Sequence, residues 1–158
     1  MPATSLEVEK EQFLAKVEKL LHQCEQWIVD ADPKAKVSHE ETTIEEEEVG
    51  SYTAPVLAIE RPGYETVRLV PRGRWIIGAD GRVDLVSEME RESLIYLPKG
   101  KKVSFKDTTD SGKILSQRSA PLVPPEVEGW HYVQSRNLKF HPVLEKELFY
   151  RLLEVVGR

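Results

Sequence analysis

The sequence predicts an α+β fold in a single domain: an antiparallel meander of about six strands with an N-terminal and a C-terminal helix packed on it. Three observations carry this expectation. Apolar residues recur at helical spacing only near the two ends of the chain, β-branched and aromatic residues gather in short runs between them, and glycine-bearing pairs separate those runs. The 158 residues are 40% hydrophobic and 31% charged, a balance that supports a buried core without metal or disulfide help.

The first helix is expected from Leu6 to about Ile28. Phe13, Val17, Leu20, Cys24 and Trp27 form a stripe, widened by Leu14, Leu21 and Ile28 one residue on. Ser5 is placed to accept hydrogen bonds from the free N–H groups of the first turn. Glu7, Glu9 and Glu11 suit the positive end of the helix dipole, and Asp32-Pro33 ends the helix.

Strands are expected from Lys36 to Phe105, with turns at Gly50-Ser51, Pro62-Gly63, Arg72-Gly73, Asp80-Gly81 and Lys99-Gly100. The strongest hairpin signal is Asp80-Gly81, between Arg74–Ala79 and Arg82–Val86. A two-residue turn there pairs Ile77 with Asp84, Ile76 with Leu85 and Trp75 with Val86. Both faces of that hairpin carry apolar side chains, so it needs cover on each side, from a helix and from a loop or a second copy of the chain.

Residues 107–129 read as a long Pro-containing loop, relieved only by a short strand at Lys113 to Ser116. Trp130 to Val133 returns to the sheet. His141-Pro142 then opens the second helix, with Leu144, Leu148, Leu152 and Val155 on one stripe and Gly157 near its end.

Composition also narrows the functional classes. No run is apolar enough for a membrane span, and the first thirty residues alternate charge with apolar side chains rather than building a signal-peptide core; a cytoplasmic location and no membrane partner are expected. One cysteine, Cys24, leaves no pair for an internal disulfide, and its place on a helix stripe suits a small hydrophobe better than a thiolate. No glycine-rich phosphate loop or nucleophile motif is recognisable, and His22, His39, His131 and His141 share no metal-ligand spacing. Neither a cofactor nor a metal is expected.

The net charge of -5 is unevenly spread. Residues 1–60 hold 5 Lys and Arg against 14 Asp and Glu, a balance of -9, whereas residues 61–158 hold 17 against 13, a balance of +4. The plainest account is that the two halves attract one another in the fold. The sharper one is that a charged surface meets a partner.

Three candidate sites follow. Glu45, Glu46, Glu47 and Glu48 read either as an edge strand whose charges discourage unwanted pairing or as an acidic strip for a basic protein. Lys99, Lys101, Lys102 and Lys106, with Phe105, can track a phosphate backbone. Asp84, Trp130 and His131 can line a ligand pocket, although an Asp so placed is more often a structural carboxylate satisfied by a nearby arginine, of which Arg68, Arg72, Arg74 and Arg82 are at hand. Strand alternation would also place Trp130 and Tyr132 in the core with His131 outside. The leading expectation is a non-enzymatic interaction protein that binds another protein, as an inhibitor or neutraliser of a basic partner. A nucleic-acid-associated protein is the first alternative, and an enzyme or small-ligand protein is the second. Homo-oligomerisation would supply the cover that the two-sided hairpin needs.

Overall fold

A computed structural model describes residues 5–46, 49–73, 81–97, 106–108, 114–117, 128–133 and 143–158. The fold is α+β: a six-stranded antiparallel sheet flanked by the N- and C-terminal helices. Helix α1 spans Ser5–Ala31 and helix α2 spans Lys146–Gly157. The strands are β1 (Lys36–Glu46), β2 (Gly50–Glu60), β3 (Val67–Gly73), β4 (Arg82–Val86), β5 (Arg91–Leu97), β6 (Lys106–Thr108), β7 (Ile114–Gln117) and β8 (Gly129–Val133). The sheet runs β1-β2-β3-β4-β5-β8, and β6 pairs with β7 in a separate ribbon. Among the described residues, no helix is long and apolar enough to cross a membrane.

The sequence stripe of α1 is its buried face. Phe13, Val17, Leu20, Leu21, Cys24 and Ile28 are buried, and Leu14 and Trp27 pack at the margin. Ser5 is already helical rather than preceding the helix. At the other end, the Asp32 side chain accepts from the Lys34 backbone N–H at 3.0 Å, a local bond that competes with helix continuation.

Helix α2 begins later than Pro142 would suggest, because Leu144 is held in extended pairing: its N–H donates to the Trp130 carbonyl at 2.7 Å. The buried stripe is correspondingly rotated, with Phe149, Leu152, Leu153 and Val156 inside and Val155 exposed.

Alternation in the strands sorts side chains onto two faces. Leu57, Leu69 and Leu85 stand in one row across β2, β3 and β4, and Val83 and Leu94 stand in the next. These residues and the stripes of both helices form one core. Each fully buried large side chain in it contributes about 1.5–3 kcal/mol through removal of apolar surface from water. Trp27 and Phe149 join the helices, with ring centroids 5.6 Å apart, and Tyr150 Oη donates to the Trp27 carbonyl at 2.7 Å.

The expected hairpin at Asp80-Gly81 has a different pairing. Asp84 lies opposite Val70 and Leu85 opposite Leu69, while the far side of β4 is taken by β5. Asp84, Leu85 and Val86 therefore have their partners in β3 and β5 instead of the expected ones, and Trp75, Ile76 and Ile77 lie outside the described residues. Gly81 serves packing: a Cβ there would stand 2.5 Å from the Phe13 ring. Arg72-Gly73 is an irregularity in the β3–β4 ladder rather than a turn, and Lys99-Gly100 lies outside the described residues. The turns at Gly50 and Gly63 are as expected, with φ of 84° and 83° that favour glycine.

Candidate functional site

The sheet face away from the helices has a different chemistry. Its rows read Ala58, Arg68, Val86, Arg91; then Val70, Asp84, Ser93, Val133; then Gly73, Arg82, Ile95, His131. Asp84 is fully buried at the centre. A carboxylate there must be paired, since burial of an isolated charge is costly.

Three arginines meet that requirement. Arg82 grips Asp84 with both prongs, Nε to Oδ1 at 2.8 Å and Nη2 to Oδ2 at 3.1 Å, and Nη2 also donates to Ser93 Oγ at 3.2 Å. Arg72 Nε donates to Oδ2 at 3.1 Å, from the irregular stretch where β3 leaves strict register. Arg91 Nη1 stands 4.0 Å from the same oxygen. The Arg72, Arg82 and Arg91 side chains nonetheless remain 43%, 38% and 59% exposed. A single buried carboxylate thus gathers three guanidinium groups whose side chains remain partly exposed.

Arg68 completes the face. From β3 it reaches across β2, where its register partner is the small Ala58, and its Nε donates to Glu40 Oε2 on β1 at 2.9 Å. That hydrogen bond, with the attraction of the guanidinium charge, holds the Glu40 carboxyl below its usual range. This exposed ion pair joins a residue of the acidic first part of the chain to one of the basic second part.

The acidic run is divided. Strand β1 is one of the two terminal strands of the sheet, and Glu45 is exposed on it, but Glu46 is buried and accepts from Tyr52 Oη at 2.8 Å. Glu47 and Glu48 lie outside the described residues. Of the lysine cluster, Lys99, Lys101 and Lys102 also lie outside them, and Lys106 is paired through its backbone with Gln117 in the β6–β7 ribbon. The strand expected near Lys113 is β7, and the ribbon occupies part of the stretch expected as a loop.

Asp84 and His131 share the arginine face, whereas Trp130 belongs to the helix-covered side. His131 is not outside as alternation with Trp130 suggested. It is buried, its Nδ1 is 2.8 Å from the Gly129 carbonyl oxygen, and it bridges to Val143. Trp130 instead lines an open groove of about 600 Å³ with Trp27, Tyr96, Leu20, Lys16 and Lys19. Neither Asp84 nor His131 lines that groove.

Tyr132, beside Trp130, donates to Glu92 Oε2 at 2.9 Å; burial, reinforced by that bond, pushes its pKa up to about 12. Burial raises the Cys24 thiol above its ordinary range, which agrees with its reading as a small hydrophobe. Among the described residues, no group of three or more His, Cys, Asp or Glu side chains is placed to hold a metal ion.

Arg91 is the member of the face that the sequence reading missed. Its approach to Asp84 depends on a β4–β5 turn closed by Ser87 N–H to the Glu90 carbonyl, with Ser87 Oγ accepting from Met89 and Glu90 N–H. The turn carries no glycine or proline, but Ser87 was a usable signal, since serine closes turns through its own hydroxyl. No family model matches the sequence, and no curated protein or solved structure is significantly similar to it.

Proposed function

We propose that this chain is a non-enzymatic interaction protein that binds another protein through the arginine face of its sheet, the partner presenting acidic groups. The observation that carries the reading is the convergence of Arg72, Arg82 and Arg91 on the single buried carboxylate of Asp84. A guanidinium offers more planar donors than one carboxylate can fill, and arginine is enriched both in protein interfaces and among the residues that dominate their energetics. Strands hold these side chains on a regular platform, which lowers the entropy lost when a partner docks.

A basic partner at the acidic strip has weaker support. Glu46 is turned inward and the exposed Glu40 is engaged by Arg68, which leaves Glu41 and Glu45 as the exposed carboxylates of β1 outside those contacts.

Capture from source-cell lysate at low and moderate salt, with nuclease present, tests the reading. The intact chain is compared with the double variant Arg72→Gln/Arg91→Gln and with Glu41→Lys/Glu45→Lys, each first checked for a cooperative thermal transition. Arg82 is left in place to hold Asp84. A protein partner retained by the intact chain and the glutamate variant, but lost by the arginine variant, is the expected result. Capture unaffected by the arginine changes removes the proposal, and selective loss in the glutamate variant moves the function to β1. Recovery of nucleic acid alone, when nuclease is omitted, favours the nucleic-acid alternative.

A further inference from the structure

We infer that the Arg72–Asp84–Arg91 corner of this face is a receptor for a phosphomonoester, carried by a phosphorylated side chain of the protein partner. The inference rests on the reading of the arginine face as the binding surface, and adds the chemistry of what it binds.

Charge is the first step. Arg72, Arg82 and Arg91 bring three positive charges to the single negative charge of Asp84, all three with a nitrogen within 4.0 Å of its carboxylate. The excess is two positive charges. A carboxylate ligand offsets one of them, as does a phosphodiester linkage, whereas a phosphomonoester near neutral pH carries a charge of about -1.5 to -2.

Donor geometry is the second step. Arg82 is committed, with Nε and Nη2 engaged by Asp84 and Ser93. Arg72 is anchored through Nε alone, so its two terminal nitrogens are not used by Asp84. Arg91 approaches the same Oδ2 with Nη1 at 4.0 Å, beyond hydrogen-bond range, and has the most exposed side chain of the three. One fork anchored through Nε and one held near by charge alone therefore stand beside the same buried oxygen. Phosphate oxygens accept such forks in pairs, and arginine clusters are a recurring means of reading phosphorylated motifs.

Positioning is the third step. Asp84 is fully buried and held on β4 between β3 and β5. It keeps the guanidinium groups together against their mutual repulsion before a ligand arrives, so less ordering remains for binding itself.

The test uses the full chain and four probes in calorimetric titration: inorganic phosphate, a short phosphoserine peptide of otherwise neutral sequence, the same peptide with glutamate in place of phosphoserine, and a nucleoside 5′-monophosphate. Saturable binding of phosphate and of the phosphopeptide is expected, with the glutamate peptide on the order of tenfold weaker. Arg72→Gln and Arg91→Gln should each weaken the phosphopeptide by on the order of tenfold, as loss of a charge-assisted hydrogen bond requires. Absence of phosphopeptide binding, equal binding of the glutamate peptide, or indifference to both substitutions overturns the inference. A nucleotide that binds more tightly than the phosphopeptide overturns its assignment to a modified protein.

Phosphatase treatment of lysate before capture separates this failure from failure of the underlying reading. Capture that needs the arginines but survives phosphatase leaves the arginine face standing without phosphate recognition. Capture indifferent to the arginines removes both.

Discussion

The two faces of the sheet use the same backbone ladder and opposite means of stabilisation. On the helix side, Leu57, Leu69 and Leu85 form an apolar row covered by Phe149, Leu153 and the stripe of α1. On the other side, the next row carries Asp84, buried to the same degree but encircled by arginines whose side chains reach solvent. The first face gains from every methylene removed from water and needs no particular direction of contact. The second gains only where geometry is satisfied, because desolvating a carboxylate costs several kcal/mol and its partners must return that amount. The difference teaches how one strand can serve two ends: Val83 and Leu85 hold β4 to the helices while Arg82 and Asp84 form an ion pair on the opposite face.

The sharpest way to break this comparison is to remove mass from the apolar side. Phe149→Ala should lower the free energy of unfolding by about 3–5 kcal/mol, as deletion of a fully buried aromatic does, read as a shift of the urea midpoint at constant slope. On the polar side, Asp84→Asn should cost less, about 1–3 kcal/mol, because the stranded guanidinium groups are already partly hydrated and can turn to water. A combined Asp84→Leu/Arg82→Leu variant should recover part of that loss, since an apolar pair of fitting size often substitutes for an ion pair. Should Asp84→Asn prove as damaging as Phe149→Ala, the arginine face would be a second core rather than a prepared surface, and the contrast between the faces would fail.

What was legible in the sequence follows the same division. The stripe of α1 is readable because burial against a sheet demands one apolar side at a period of 3.6 residues, and Phe13, Val17, Leu20 and Cys24 meet it. A six-stranded antiparallel sheet was legible, although its sixth strand is β8 rather than one before Phe105, and the pairing of β4 was not. Asp80-Gly81 gave a local turn signal, whereas the observed neighbours of Asp84, Val70 and Ser93, are chosen by which leucines can meet the helices. Register is set by such nonlocal burial, and one misplaced partner changes every cross-strand contact. The carboxylate was correctly readable as one that arginines satisfy, with Arg72 and Arg82 among those named. Arg91 was out of reach because its proximity follows from the Ser87–Glu90 turn. Glu46 was hidden for a similar reason: nothing local marks it, rather than Glu45, as turning inward to Tyr52.

The smallest expected effect sharpens the border between the two faces. Arg68 crosses β2 to reach Glu40, and the bond it donates is the main cause of the lowered Glu40 pKa, below its ordinary 4.5. A carboxyl whose folded pKa is depressed adds stability that is present above its unfolded pKa and is lost as the pH falls through the folded value. The stability of the intact chain over Glu40→Gln should therefore be small at neutral pH, should shrink as salt screens an exposed pair, and should vanish toward strongly acid conditions. Paired urea titrations across that range measure the difference directly. A difference that persists in acid, where the carboxyl is neutral, would assign the contribution to the Glu40 side chain itself rather than to its charge.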